Sequence, residues 1–247
     1  MSTVSVVIIA YNSAKTIAET LASVRAQTRS VHEIIVVNDG STDDTERIAK
    51  SYGAKIVNRE HGEMGIGVIR NEGFAVATGD FFLPIDSDDK FDPTFVEKTV
   101  PLMTDGVGVV CTDMKYFGTE SHYIRSWSIF DRGVYRDGGY PDARHRDMTL
   151  EDECKYNNIP VASLIRREAF EQVGGYHPIL WGFEDWSLWI SILSAGWKVA
   201  VVHEPLFWYR RRGGSLSERD SRRRAELNAL MKEVHGDIFK GYHDSLA

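Results

Sequence analysis

The feature that most limits what this chain can fold into is a short apolar run, rich in β-branched residues, that recurs and is each time cut off by polar groups. Val4–Ala10, interrupted by Ser5, gives way to Tyr11 and Asn12. Ile34–Val37 gives way to Asn38 and Asp39, and Phe81–Ile85 to the acidic stretch Asp86–Asp89. Such near-continuous apolar character marks strands covered on both faces, as in a parallel α/β sheet. Between the first two runs, Ile17, Leu21 and Val24 share one helix face, which completes a βαβ unit. STDDTERIAKSYG adds a cap at Ser41 or Thr42, acids for a first turn and a stop at Gly53.

The pattern continues with a strand over Ala54–Val57 and a helix-compatible stretch, GIGVIRNEGFAVATG, whose glycines read as permitting a turn braced by Asn71. A helix over Pro93–Leu102 has proline in its first turn, and a strand follows at Val107–Cys111. Antiparallel strands are expected around Met114–Phe117 and Tyr123–Trp127, within an aromatic middle region from Tyr116 to Tyr140 that suits a sugar-sized acceptor. Beyond it come a helix at Arg167–Val173 stopped by Gly174 and Gly175, a helix through Leu188, Trp189, Ile192 and Leu193 stopped by Gly196, and a strand at Val199–Val202. Ser217–Val234 reads as a basic amphipathic helix, with Arg222–Arg224 solvated or facing an anion. A chain of 247 residues, 43% hydrophobic, can bury one large α/β core. Its net charge of -7 argues against a general nucleic-acid surface, and Cys111 and Cys154 form no CxxC, which fits a reducing compartment. No run approaches the roughly 20 apolar residues of a bilayer crossing.

Parallel sheets bind ligands beyond the carboxyl ends of their strands, so Tyr11, Asp39 and Asp86–Asp89 converge where a ligand belongs. Asp39 could close an Asx turn through Gly40 or accept a donor from a nucleobase or ribose. In DSDD, acids one residue apart can reach a common hard cation, Mg²⁺ or Mn²⁺, which would also hold substrate phosphates. A calcium loop lacks its glycine, and GIGVIR lacks the last glycine and the preceding strand of a dinucleotide fingerprint. Glu184 and Asp185 either favour the positive end of a helix dipole or supply a general base beside Trp181, Phe183, Trp186 and Trp189, one of whose rings could stack on a sugar. His203 is a second candidate metal ligand, with a surface histidine as the plainer reading. The arginines of YRRRGGS (Tyr209–Ser215) form either a solvated patch or partners for a diphosphate.

Taken together, VSVVIIAYNSAKTIAETLASVRAQT, EIIVVNDGSTDDT, GIGVIRNEGFAVATGDFFLPIDSDD and GFEDWSLWISILSAGW resemble glycosyltransferase family two, over about Val4 to Arg212. The resemblance implies an α/β GT-A fold: a Rossmann-like, mostly parallel central sheet flanked by helices, with a smaller acceptor-side subregion. It implies a nucleotide-sugar-binding half (1–112), an acceptor and catalytic-base half of the same domain (113–216) and a C-terminal amphipathic helix and tail (217–247). The reaction implied is inverting, metal-dependent transfer from a nucleoside-diphosphate sugar, taken as UDP-linked, to a saccharide or lipid-linked saccharide.

By the same resemblance, Ala10, Tyr11, Asp39, Arg70, Asp86, Ser87, Arg211 and Arg212 hold the nucleotide-sugar. Asp88 ligates Mn²⁺ or Mg²⁺ with Asp89 in support. Asp185 deprotonates the acceptor, and Trp181, Gly182, Phe183 and Glu184 position it. Arg212 stands where many relatives have a histidine near metal and diphosphate. Arginine cannot act as a neutral imidazole ligand, and would instead neutralise the diphosphate. Ile69 stands where a small residue is frequent. A sugar-phosphate nucleotidyltransferase or a noncatalytic carbohydrate-binding protein are the competing readings. The expected place is the cytoplasm, with the basic tail able to touch the cytoplasmic membrane face.

Overall fold

The structure is a computed structural model and describes residues 2–62, 65–118, 126–127, 148–211, 223–236 and 238. In chain order the elements are β1 (Val4–Ala10), α1 (Ile17–Arg25), β2 (Glu33–Asp39), α2 (Thr45–Ser51), β3 (Lys55–Arg59), α3 (Ile66–Ala75), β4 (Phe81–Asp86), β5 (Lys90–Phe91) and α4 (Phe95–Thr99), which tightens into a 3-10 turn at Val100–Leu102. They continue with β6 (Val107–Phe117), β7 (Ser126–Trp127), α5 (Leu150–Lys155), β8 (Leu164–Arg166), α6 (Arg167–Gln172), α7 (Glu184–Ser194), β9 (Lys198–Arg210) and α8 (Arg224–His235). The strands form one sheet in the order β3-β2-β1-β4-β8-β6-β9-β5, with β7 paired to β6.

The first four strands of that order run parallel, and so do β6 and β9; β8 lies antiparallel to both of its neighbours, β4 and β6. The apolar runs are continuous because both faces of the sheet are covered. Val4, Val6, Ile8 and Ala10 pack with Ile17, Leu21 and Val24 of α1 and Phe95 of α4. The alternate residues Val7 and Ile9 pack with Phe74 of α3, Phe170 of α6 and Trp189 of α7 on the other side. A third cluster joins Cys154, Leu180, Trp186, Ile190 and Met231, and so seats α8 on α5 and α7. Trp186 and Trp189 are therefore core rings, not sugar platforms. Pro84 fits inside β4 because β8 pairs only with Phe81 and Phe82, so among the described residues Pro84 has a strand partner, Val7, on one side only.

Several boundaries differ from expectation. The strands expected at Val107–Cys111 and Met114–Phe117 are one, β6, and the strand expected at Val199–Val202 runs on to Arg210. Paired strands support each other past the point where apolar pattern fades. The antiparallel pairing of Met114 with Trp127 is present. Residues 217–222 of the expected tail helix, including Arg222, lie outside the described residues, and α8 begins at Arg224. Helix α2 starts at Thr45, later than a cap at Ser41 or Thr42 implies, because the side chain of Asp43 accepts the Thr45 amide. No helix among the described residues is long and apolar enough to cross a membrane.

Gly73 lies within α3, where a Cβ would run into Val7 Cγ1 and come within 2.8 Å of Val37 Cγ2. The glycine thus brings α3 onto the centre of β1 and β2, and is a packing device and not a turn. Gly73→Ala is expected to cost about 1–3 kcal/mol through overpacking, read as a lower urea midpoint with native-like circular dichroism.

Candidate active site

Three strand ends and one helix N-terminus build the site. Asn12, just beyond β1, takes a left-handed conformation (φ 46°), and its Oδ1 accepts the Thr42 amide at 2.8 Å while its own amide donates to Ser41 Oγ at 2.9 Å. Ser13 donates its amide to Thr45 Oγ1 and shares a 2.7 Å hydroxyl contact with Ser87. These bonds tie the loops after β1, β2 and β4 into one floor. Asn12 is the amide that ends the first apolar run in the sequence, whereas nothing in the sequence marks Ser13.

At the end of β2, Asp39 is buried and its oxygens are divided between Arg59 and Nδ1 of His61, the latter at 2.6 Å. The Asx turn that is one of the two readings of Asp39 is made by its neighbour, since Asn38 Oδ1 accepts the Ser41 amide at 3.2 Å. Tyr11 is 48% exposed and its ring stacks on His61, centroids 3.9 Å apart and planes 4° apart. Ala10 is buried at the end of β1.

Arg70, placed with the nucleotide-sugar by the resemblance, is engaged by two protein carboxylates at this edge. Its guanidinium is buried, donating from Nη2 to Asp86 at 2.7 Å and from Nη1 to Glu184. Burial works against its charge, but the carboxylates of Asp86 and Glu184 outweigh that and hold it above its ordinary pKa. Gly67 makes the approach possible, because a Cβ there would lie 2.9 Å from Tyr176 Cβ and 3.1 Å from Glu184 Cβ. Asn71 braces the same contact through paired bonds with the Tyr176 backbone.

The acidic turn is fixed from the other side by Arg210. Its amide donates to Asp89 Oδ1 at 2.7 Å, its Nε to the Asp88 carbonyl at 2.6 Å, and its Nη2 pairs with Glu19. Of the two arginines expected to meet the diphosphate, Arg211 lies over the Tyr116 ring, 5.4 Å from its centroid, and Arg212 is outside the described residues. Burial, then the charges of Asp86 and Asp88, raise Asp89 well above the usual carboxylate range. Asp89 is thereby a buried support, while Asp88 beside it is half-buried.

No group of three histidine, cysteine or acidic side chains among the described residues is placed to hold a metal. His203 lies mid-strand in β9, seven residues before Arg210. That is roughly 20 Å along an extended chain, so it does not join Asp88. The donor set still fits a hard cation of the kind held by one or two carboxylates plus substrate phosphates, with Asp88 as the protein ligand. Asp86 is committed to Arg70, and Asp89 to Arg210 through Oδ1.

At the N-terminus of α7, Phe183 adopts a left-handed conformation (φ 57°) unusual for a bulky residue, which presents Glu184 and Asp185 as the first turn. Asp185 Oδ1 accepts the Trp186 amide at 2.7 Å and Asn157 Nδ2 at 3.2 Å. Burial, and next the charge of Glu184, push Asp185 up to about 7, against the opposing pull of Arg70 and these donors. Asn157 was missed from sequence, since only the fold brings the segment after α5 to α7. Trp181 lies under Arg223, 3.9 Å from ring centroid to guanidinium carbon, and Phe183 packs edge-on to Trp186. Gly182 is buried between them in sequence.

Residues 5–174 match the profile of Glycosyl transferase family 2, so the chain belongs to that family. It is 41% identical over 243 residues to an uncharacterized glycosyltransferase, RP339, of Rickettsia prowazekii, covering 97% of this chain and 71% of that one. It is 28% identical over 239 residues to UDP-Glc:alpha-D-GlcNAc-diphosphoundecaprenol beta-1,3-glucosyltransferase WfaP of Escherichia coli, covering 95% and 87%. A 112-residue stretch, 43% of this chain, is 37% identical to putative glycosyltransferase EpsH of Bacillus subtilis and spans 32% of that protein's length. Among solved structures it superposes on S. aureus TarS 1-349 in complex with UDP-GlcNAc with a TM-score of 0.72, at 20% identity, covering 94% of this chain and 66% of that one. The fold is accordingly the GT-A arrangement.

Arg70→Met would leave the Asp86 and Glu184 carboxylates facing each other without their cation. Removing one partner of a buried pair costs about 3–5 kcal/mol, and the lower end is expected because Asp86 is 27% exposed. Chemical denaturation at pH 7 checks this.

Proposed function

We propose that this protein is an inverting glycosyltransferase that moves a sugar from a UDP-linked donor to a hydroxyl of a saccharide or lipid-linked saccharide. One observation carries the reading. A single buried guanidinium, Arg70, joins Asp86 at the end of β4 to Glu184 beside Asp185. The edge that suits a nucleotide diphosphate and the carboxylate that suits a base thus meet at one point. A noncatalytic sugar-binding protein has no need of that junction, nor of a carboxylate poised near neutrality.

In this assignment Tyr11 stacks on the base, Asp39 accepts its N–H, and Asp86 and Ser87 lie along the ribose and sugar. Asp88 would hold Mn²⁺ or Mg²⁺, which when bound supplies positive charge to the departing diphosphate. Arg211 and Arg212 add charge to the same group. Asp185 takes the proton of the acceptor hydroxyl. Both of its hydrogen-bond donors fall on Oδ1, which leaves Oδ2 as the oxygen that accepts that proton. The acceptor oxygen then attacks the anomeric carbon opposite the diphosphate, forming one bond as the other breaks, so the configuration inverts. Glu184 is held by Arg70 and orients the acceptor with Trp181, Gly182 and Phe183. The free, buried Cys111 and Cys154 suit a cytoplasmic site of action.

A base raised to about 7 makes the rate climb with pH until the carboxylate is fully ionised. Its effect on stability has the opposite slope. A carboxylate whose folded pKa lies above the unfolded value near 3.9 is destabilising once charged. Stability from this group is therefore full below about pH 4 and is lost as pH rises to about 7. Asp185→Asn should abolish transfer, retain UDP binding, and remove this component of the pH dependence of the melting midpoint. Transfer by a folded Asp185→Asn variant would move the base role to Glu184.

Asp88→Ala should abolish metal-stimulated UDP release from a panel of UDP-sugars while the melting midpoint stays within a few degrees. Release of pyrophosphate in place of a nucleoside diphosphate would instead identify a nucleotidyltransferase.

A further inference from the structure

The most exposed aromatic ring at the proposed donor edge is already covered, and by a side chain that no motif marks. His61 lies face to face with Tyr11, 3.9 Å between centroids and 4° between planes, and its Nδ1 is 2.6 Å from Asp39 Oδ2. A flat heteroaromatic ring, stacked on a tyrosine and directing a ring nitrogen at a buried carboxylate, reproduces the two contacts assigned above to a nucleobase. The carboxylate has no oxygen left over, since Arg59 takes the other one.

The histidine is well placed to occupy this position and to leave it. Its backbone is seated against Gly40, where a Cβ would lie 2.8 Å from the His61 amide nitrogen, so the chain at residue 61 is held beside the end of β2. The imidazole itself is 49% exposed, so rotation about its side-chain bonds releases it into water without disturbing the core. By contrast the Arg59 side chain is only 11% exposed and has a second contact to Glu72, and it stays on Asp39 as a fixed counter-charge.

We propose that His61 is an internal stand-in for the nucleobase, which closes the base subsite of the empty protein and is displaced by the incoming base. This rests on the assignment of Tyr11 and Asp39 to the base. It makes His61 an affinity- and specificity-determining residue. A base takes the site only if it offers both a stacking face and an N–H where Asp39 can accept it. Uracil does so through N3–H, whereas cytosine presents an acceptor at that atom. The exchange keeps the number of stacks and hydrogen bonds constant, so the histidine tunes affinity without removing it. If the closed form holds about nine tenths of the molecules, it weakens the apparent affinity about tenfold.

The test combines calorimetry with the NMR signal of the His61 ring, assigned by its loss in His61→Ala. Stacking on Tyr11 shifts that signal upfield in the free protein. Uridine 5′-monophosphate should return it to the position of a solvated histidine, and inorganic pyrophosphate should not move it. His61→Ala should bind UDP about tenfold more tightly, and His61→Phe, which keeps the stack but offers no N–H to Asp39, should fall between the two. UDP binding that leaves the ring signal in place, or an Ala variant with unchanged or weaker UDP affinity and a native melting midpoint, overturns the proposal. Should Tyr11→Ala and Asp39→Asn also leave UDP affinity unchanged, the base-site assignment itself is wrong; if they weaken it while His61→Ala has no effect, only the displacement is wrong.

Discussion

The site depends on one buried cation. Arg70 projects from the second turn of α3 into a space bounded by the end of β4 and the start of α7, and it neutralises a carboxylate from each. Without it, Asp86, Glu184 and Asp185 would repel one another across a region with little water to screen them. With it, the segments before and after the long aromatic middle of the chain are locked together although 114 positions separate Arg70 from Glu184. Attraction there is strong because the surroundings are dry, and for the same reason every group must be matched.

That lock explains the division of labour among the acids. Asp86 is paired with Arg70 and Asp89 with the Arg210 amide, and both bonds shape the turn. Asp88 lies between two anchored residues, which fixes the backbone from which it would reach a cation in the proposed assignment. On the other side, Glu184 is held while Asp185 is pushed up to about 7 by burial and by Glu184, so the adjacent acids of one helical turn have different tasks. The strained Phe183 at the start of α7 fits this arrangement, since local backbone cost is tolerated where it aims functional groups.

Much of this was legible in the sequence because it is written in local pattern. The runs at Val4–Ala10, Ile34–Val37 and Phe81–Ile85 announce covered parallel strands, and polar residues at their ends announce a ligand edge. The aspartates and the Glu184–Asp185 pair could be found the same way. The partners are what local pattern leaves open: Arg70 meets Asp86 and Glu184, Asp39 meets Arg59 and His61, and Arg210 holds the acidic turn, each through a contact made across the fold.

The sequence by itself determined the two-sided sheet, the order of its first four strands' chemistry and the identity of the acidic motifs, because strand and helix periodicity and charge depend only on near neighbours. Only the tertiary structure decided which charges meet. Ion pairs such as Arg70 with Glu184, the stack of Tyr11 on His61 and the bond from Asn157 to Asp185 join residues far apart in the chain. Their energies depend on burial and distance, which no local pattern specifies.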